Sequence, residues 1–400
     1  MSAAELMRLH SLGQIEVPPS FWKSGPAGRD AIAKKIMAKN GIVLLSPAIE
    51  QKINPVPPVD DGRLRVGFVS PSYAMPGGAE RWIQSVTACS DERVQWSGVA
   101  VTNNVHVSGE LIRETSCDVL IGHNAARLVA ENSDVLVVWG LRHVRNVIPG
   151  FTGRVVVISH GCGDWTRQHC YDDTLLDTDI RVGVSGAAAR SFPPNVKTHV
   201  VHNGIDPARI RPSLPRDVVR EQIGLSPTEI AVAYVGRYSW EKAPLAAAQA
   251  VRELGPPYRA VYVGDGWKRD DVLRKARELC PDVIVVPSQE HVGNVLSAID
   301  CFVLASPAEG MSLGLIEAWM AGVPTVSTPV GAVPELELTH GPITTRVPVE
   351  ATANQLAAAV VESLSSPDVT ACAKRVADQF LTNSVMTTRL VDLIVVTGDV

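Results

Sequence analysis

The stretch Cys301–Val330, CFVLASPAEGMSLGLIEAWMAGVPTVSTPV, decides the reading of this chain. CFVLASP is a short apolar run bounded by Asp300 and Pro307, the pattern of a buried strand. Glu309 and Gly310 then mark a turn. A helix is expected from near Ser312 to about Ala321, stopped by Gly322 with Pro324 beyond. PTVSTPV follows as a second strand. Strand, loop, helix and strand in this order build a parallel sheet.

The chemistry of such a unit sits where the strand gives way to the helix. A helix start offers unpaired backbone N–H groups and the positive end of a dipole, which suit a phosphate. Gly310, Ser312, Leu313, Gly314 and Leu315 lie at that start, and Gly314 allows close backbone approach. Glu309 in the loop and Glu317 in the second to third helical turn could grip two hydroxyl-bearing parts of one ligand. Sugar, phosphate and ribose in a row describe a nucleotide sugar. On spacing alone, an ordinary βα loop with one solvated and one helix-face glutamate explains these residues equally well.

Outward from this unit the same grammar recurs. Buried strands are expected at 65–71, 96–102, 117–123, 134–140, 154–160, 181–186 and 199–204, then at 230–237, 259–266, 282–287, 301–307 and 324–331. A loop over Tyr73–Gly78 leads into a helix from about Ala79 to Cys89. Two groups of strands separated by helical stretches imply an α/β chain of two doubly wound sheets. The expected organisation is an N-terminal extension and linker over 1–62, a Rossmann-like acceptor domain over 63–205 and a donor domain over 206–375. A helical segment over 376–400 is a candidate to cross back. Within the extension, Arg29–Asn40 reads as a short helix and NPVPPVDDG (Asn54–Gly62) as a linker. The break in pattern at Asn203–Pro215 reads as a hinge.

Polar and glycine signals gather at the carboxyl ends of strands, where open parallel sheets bind ligands. Gly77 and Gly78, with Glu80 and Arg81, follow the first strand, and His160 ends RVVVISH. Ser185 and Asn203 end later strands. Arg237 and Lys242 follow AVAYVG, and Asp265 and Gly266 end VYVGDG.

These residues resemble the retaining GT-B glycosyltransferases of family 4. EGMSLGLIE (Glu309–Glu317) is similar to the family's E-x7-E signature, and AWMAGVPTVSTPV continues it. Gly78-Ala79-Glu80-Arg81 resembles its G-G-x-E-R loop, VGRYSWEK its V-G-R-x-x-x-x-K stretch, and VHNGID and VGDG match as well. The resemblance covers about residues 65–335. It implies a GT-B fold, two Rossmann-like domains facing a cleft, with Glu309 and His160 on the donor sugar and Glu317 on the ribose. It gives Arg237 and Lys242 the diphosphate, where two cations would neutralise the departing charge. The catalytic set is then Glu309, His160, Arg237 and Lys242. The donor-binding set adds Gly77, Gly78, Asp265, Gly266, Gly310, Ser312, Leu313, Gly314, Leu315 and Glu317. Gly77, Gly78 and His160 are expected from the first sheet and the remaining groups from the second. Two departures stand out. Ala305 replaces a usual proline before Ser306, and Ala243 replaces a usual glycine after Lys242; both read as conservative for backbone shape.

The implied reaction transfers a hexose or related sugar from a nucleotide diphosphate sugar, UDP favoured over GDP, to an acceptor hydroxyl. The departing phosphate takes the acceptor proton, so neither metal, cofactor nor dedicated base is expected. His160, Cys162, His169 and Cys170 do not match common zinc spacings. Asp177-Thr178-Asp179 precedes a strand and reads as a solvated turn. An epimerase or phosphorylase on the same fold, or a non-catalytic nucleotide-sugar-binding module, would suit a similar cleft. The net charge of −5 weighs against a nucleic-acid partner without ruling one out. Seven scattered cysteines suggest reduced thiols in a cytoplasm. No apolar run reaches the roughly 18 residues of a membrane span, and no signal peptide is read at the N-terminus.

Overall fold

The computed structural model describes residues 61–73, 77–102, 108–122, 124–170, 172–287 and 291–396, and of Trp165 the backbone alone. The expected helix Arg29–Asn40 and all of the extension before residue 61 lie outside the described residues.

Two parallel sheets form. The first holds β1 (Leu64–Ser70), β2 (Val94–Val101), β3 (Val119–Ile121), β4 (Val135–Val138), β5 (Arg154–Ser159), β6 (Ile180–Gly183) and β7 (His199–Val200), in the order β3-β2-β1-β4-β5-β6-β7. The second holds β8 (Ile230–Val235), β9 (Tyr258–Val263), β10 (Ile284–Val286), β11 (Cys301–Leu304), β12 (Thr325–Ser327) and β13 (Thr345–Arg346), in the order β10-β9-β8-β11-β12-β13. All twelve expected strands are present, each shorter at its carboxyl end than the apolar run suggested. There the chain turns into the loops that carry the polar residues. β13 was not expected: two residues paired to β12 leave no periodicity to read.

In each sheet the strand order reverses once, between β1 and β4 and between β8 and β11. A parallel sheet opens a ligand crevice at such a point. β8 and β11 are direct neighbours, Cys301 opposite Val232 and Phe302 opposite Ala233. The stretches after them, carrying Arg237 and Lys242 on one side and Glu309 to Glu317 on the other, are therefore brought side by side.

Beneath this point lies the second sheet's core. The helix Ala246–Leu254 presents Ala246, Ala247, Ala248 and Ala250, small enough for it to lie close on the strands. Three tyrosines, Tyr234, Tyr238 and Tyr262, stack beside it, the last two with centroids 6.3 Å apart and rings nearly parallel. The Tyr234 hydroxyl donates to the Arg237 carbonyl at 2.5 Å and that of Tyr262 to the Pro244 carbonyl at 2.7 Å. The aromatic core thus holds the ends of the cation-bearing loop.

The chain divides into two compact units. One runs to Ile158 and takes in Gln168–Arg181 and the segment from Leu390 on; the other is Ser159–Arg167 with Val182–Arg389. His160, expected with the first sheet, thus belongs to the second unit. The last helix, Asn383–Val396, changes unit at Leu390.

The hinge expected at Asn203–Pro215 is not where the units part, because that stretch is fastened along its length inside the second unit. The Ile205 amide donates to the Leu381 carbonyl at 3.0 Å, and the Asn383 amide to the Ile205 carbonyl at 2.8 Å. Asn203 Nδ2 donates to the Met311 carbonyl at 3.0 Å, and the Ser213 amide donates to Asn294 Oδ1 at 2.7 Å. The break in pattern that suggested a joint instead serves close packing, with Gly204 set where a Cβ would lie 2.1 Å from the Thr382 carbonyl oxygen.

Candidate active site

Glu309 is buried, with 8% of its surface exposed. Its Oε2 accepts from Lys242 Nζ at 2.6 Å, while Oε1 is buried with no hydrogen-bond partner. Two residues expected to touch different parts of one ligand are therefore joined to each other. A buried carboxylate needs a counter-charge, and Lys242, whose side chain is 26% exposed, supplies it.

Lys242 ends a 3-10 turn, Trp240–Lys242, and Ala243 closes it at φ 45°. That is the left-handed region, where a Cβ costs energy and glycine does not. The substitution read as conservative is therefore a strained one. Ser306, fully buried, ties this turn to β11's loop: its hydroxyl donates to the Lys242 carbonyl at 3.4 Å. Thr328 Oγ1 in turn donates to the Ser306 carbonyl at 2.6 Å.

Gly310 is required by its neighbours. A Cβ there would lie 2.1 Å from the His160 carbonyl oxygen. This contact is how His160, far earlier in the chain, reaches the Glu309 loop. The Ser185 hydroxyl donates to the Gly310 carbonyl at 2.6 Å and Cys162 Sγ to the Glu309 carbonyl at 3.2 Å. Burial pushes the His160 imidazole down to about 3, so the folded protein holds it neutral at physiological pH, as a hydrogen-bonding group and not a cation. Burial, reinforced by the nearby Glu309 charge, raises the Cys162 thiol, which stays protonated.

The helix Leu313–Ala321 opens with Ser312 as its N-cap, whose Oγ accepts from the Leu315 amide at 3.3 Å. Leu315, counted among the phosphate-facing amides, therefore has its N–H engaged by the cap. Leu313 and Gly314 remain as first-turn donors with no preceding carbonyl of the helix to serve. The helix has little polar surface of its own; Leu315, Ile316, Ala318, Trp319 and Met320 are all buried.

Glu317, also 8% exposed, accepts at Oε1 from Arg209 Nε at 3.0 Å. Arg209 comes from a short 3-10 helix, Pro207–Ile210, capped by Asp206. Sequence reasoning missed Arg209, and 108 positions separate it from Glu317. It also missed Glu335, whose carboxylate accepts from the Gly186 amide at 2.8 Å and pairs with His202 Nε2 at 2.6 Å. That clasp steadies the Ser185 corner that holds Gly310.

The loops after β8 and β9 are zipped together. The Gly236 amide donates to the Val263 carbonyl at 3.0 Å and the Tyr238 amide to the Asp265 carbonyl at 2.9 Å. Gly266, at φ 157°, admits the Tyr238 backbone, which a Cβ would approach to 2.7 Å. Gly266 thus has a packing role, while Asp265 is exposed and accepts from the Gly266 amide at 2.7 Å. Arg237 stands above this zipper, its guanidinium 5.1 Å from the centre of the Trp267 ring.

Within the first unit, Gly77 caps the helix Gly78–Thr87, and open space surrounds the position where Gly78 would carry a side chain. Arg81 is committed to Glu110 at 2.7 Å and Glu114 at 3.4 Å. Asp177 is exposed, but Asp179 is not the solvated residue expected. It is 5% exposed and accepts from Arg145 at 2.5 Å and from the Val155 amide at 2.9 Å. It binds the amino ends of β5 and β6 together, away from the ligand-binding ends. Among the described residues, His143, Asp172 and Asp173 form the one group with metal-ligand spacing. Both Asp172 oxygens already accept, from the Val144 amide at 2.7 Å and from Thr174 Oγ1 at 2.6 Å. His160, Cys162, His169 and Cys170 form no such group among the described residues.

Residues 229–366 match the family described as Glycosyl transferases group 1. The matched segment is about a third of the chain. It holds Arg237, Lys242, Glu309 and Glu317, the groups that the β8–β11 junction draws together. Among curated proteins, the chain is 38% identical over 146 residues to a D-inositol 3-phosphate glycosyltransferase of Rhodococcus erythropolis, covering 33% of each chain. It is 33% identical over 121 residues to a putative teichuronic acid biosynthesis glycosyltransferase of Bacillus subtilis, covering 30% of each. The matched part spans about a third of the length of these relatives. Among solved structures, HepE of Anabaena in complex with UDP and glucose superposes with a TM-score of 0.69 at 15% identity, over 83% of this chain and 99% of that one. The shared fold is the GT-B arrangement of two Rossmann-like α/β units. Among the described residues no helix is long and apolar enough to cross a membrane.

Proposed function

We propose that this chain is a retaining glycosyltransferase that moves a sugar from a nucleotide diphosphate donor, UDP in preference to GDP, to an acceptor hydroxyl. The observation that carries the reading is the Glu309–Lys242 pair beside the open start of the Leu313–Ala321 helix. One buried carboxylate oxygen without a donor faces a need that a sugar hydroxyl would meet, and the lysine beside it is a cation a diphosphate would claim.

In this reading the diphosphate lies between Arg237, Lys242 and the amides of Leu313 and Gly314. Glu317, held by Arg209, takes the ribose hydroxyls. Glu309 and the neutral His160 orient the sugar. As the bond between the anomeric carbon and the phosphate oxygen breaks, charge gathers on the leaving diphosphate and the two cations offset it. The acceptor oxygen bonds to the anomeric carbon on the same face, and its proton passes to the departing phosphate oxygen. No metal enters this scheme. The seven free cysteines suit a reducing compartment, and we place the reaction in the cytoplasm.

The test is incubation with UDP- and GDP-sugars, with and without candidate acceptor alcohols, in excess chelator. Nucleotide diphosphate should appear only with acceptor, and the product's anomeric proton should show the donor's configuration. Isomerised donor without acceptor would assign an epimerase, and binding without turnover a binding module. Turnover abolished by chelator and restored by Mg²⁺ would remove the metal-free scheme.

A further inference from the structure

We infer that Trp267 is a positioning residue that holds Arg237 for the leaving diphosphate. The inference rests on the reading that Arg237 meets the diphosphate.

Arg237 lacks a firm polar anchor. Its side chain is 45% exposed, and its nearest carboxylate, Glu241, is at 3.9 Å and itself 58% exposed. An ion pair of that kind contributes little and costs the entropy of two long side chains. Trp267 offers a different anchor. The guanidinium lies over the indole face, the favourable geometry for a cation and an aromatic ring. Guanidinium stacks in this way while leaving its in-plane N–H groups free to donate. A ring beneath Arg237 therefore fixes its position without consuming the donors that a diphosphate needs, which a carboxylate at the same place would do.

The backbone that carries the indole is fastened in turn. The residues on both sides of Trp267 are fastened to Tyr238. Gly266 packs its backbone against that of Tyr238, and the Lys268 amide donates to the Tyr238 carbonyl at 3.3 Å. Tyr238 directly follows Arg237 and is buried, stacked on Tyr262. Cation and ring thus stand on adjacent loops with a locked register. Trp267 is nevertheless half exposed, which its own burial would not explain for so large an apolar side chain.

The experiment is a double-mutant cycle on UDP affinity, read by calorimetry, alongside turnover. Trp267→Leu keeps apolar bulk without a π face, and Trp267→Phe keeps the face. Trp267→Leu should weaken UDP binding about two- to five-fold, the scale of an exposed cation–aromatic contact, with an unchanged melting temperature. Trp267→Phe should stay within about two-fold of wild type. In an Arg237→Ala background, Trp267→Leu should have no further effect. If Arg237→Ala itself leaves UDP affinity and turnover intact, the diphosphate reading falls and the inference with it. If Arg237→Ala weakens binding while Trp267→Leu is silent, matches Trp267→Phe, or acts equally in both backgrounds, the positioning role alone is overturned.

Discussion

Replacing Lys242 with Ala removes the one cation that, among the described residues, pairs with a carboxylate that is 8% exposed and has one oxygen already without a partner. Breaking a fully buried pair from one side costs about 3–5 kcal/mol, because the remaining charge stays desolvated. The Lys242 side chain is 26% exposed, so water reaches part of this pair and the cost falls to about 2–3 kcal/mol. For a cooperative unit of roughly 200 residues that is a drop in Tm of about 5–10 °C. Adding Glu309→Gln to Lys242→Ala removes the stranded charge and keeps the shape, so the double variant should melt within a few degrees of wild type. Turnover should fall by about 10²–10³ in Lys242→Ala, the scale of one lost transition-state charge contact. It should not return in the double variant. Calorimetric melts and donor-turnover assays on all four proteins check both arms. A Lys242→Ala protein as stable as wild type, or a double variant less stable than Lys242→Ala, would refute the account of Glu309 as a buried charge held by Lys242.

Two further outcomes follow from single observations. Ala243→Gly relieves the left-handed backbone at φ 45° and should stabilise the protein by about 1 kcal/mol, read as a higher denaturation midpoint; a lower one would show that the Lys242 turn gains more from alanine's restricted unfolded chain than it loses to strain. His160 is held neutral when folded but regains an ordinary value near 6.5 on unfolding, so the unfolded chain takes up the extra proton as pH falls from about 6.5 toward 3 and stability declines across that window. His160→Gln should flatten that decline in Tm, while equal pH profiles for the two proteins would mean that the imidazole is solvated.

Several features of this protein follow from local sequence. Period and composition placed twelve strands, because an alternation of buried runs with polar turns is written within a few residues of each strand. The helix from Ser312 could be read from its cap and its stop, Ser312 and Gly322, which act on their own turns. The family signature from Glu309 to Glu317 was legible for the same reason: its residues are neighbours in the chain. What each of them touches was not. Lys242 meets Glu309 across 67 positions, and Arg209 meets Glu317 across 108, because the strand order places β8 beside β11. The stretch Asn203–Pro215 looked like a joint because it breaks the strand–helix pattern, and its three prolines and Gly204 suit flexible links and tight approaches alike. Only its partners, Leu381, Met311 and Asn294, reveal that here they serve tight approach. His160 looked like part of the first sheet because it directly follows β5. Gly310, which leaves no room for a Cβ against the His160 carbonyl, draws it to the second unit. A strand-end residue is positioned by its own strand only in part; once the strand stops, the loops of other strands that pack against it decide where its side chain works.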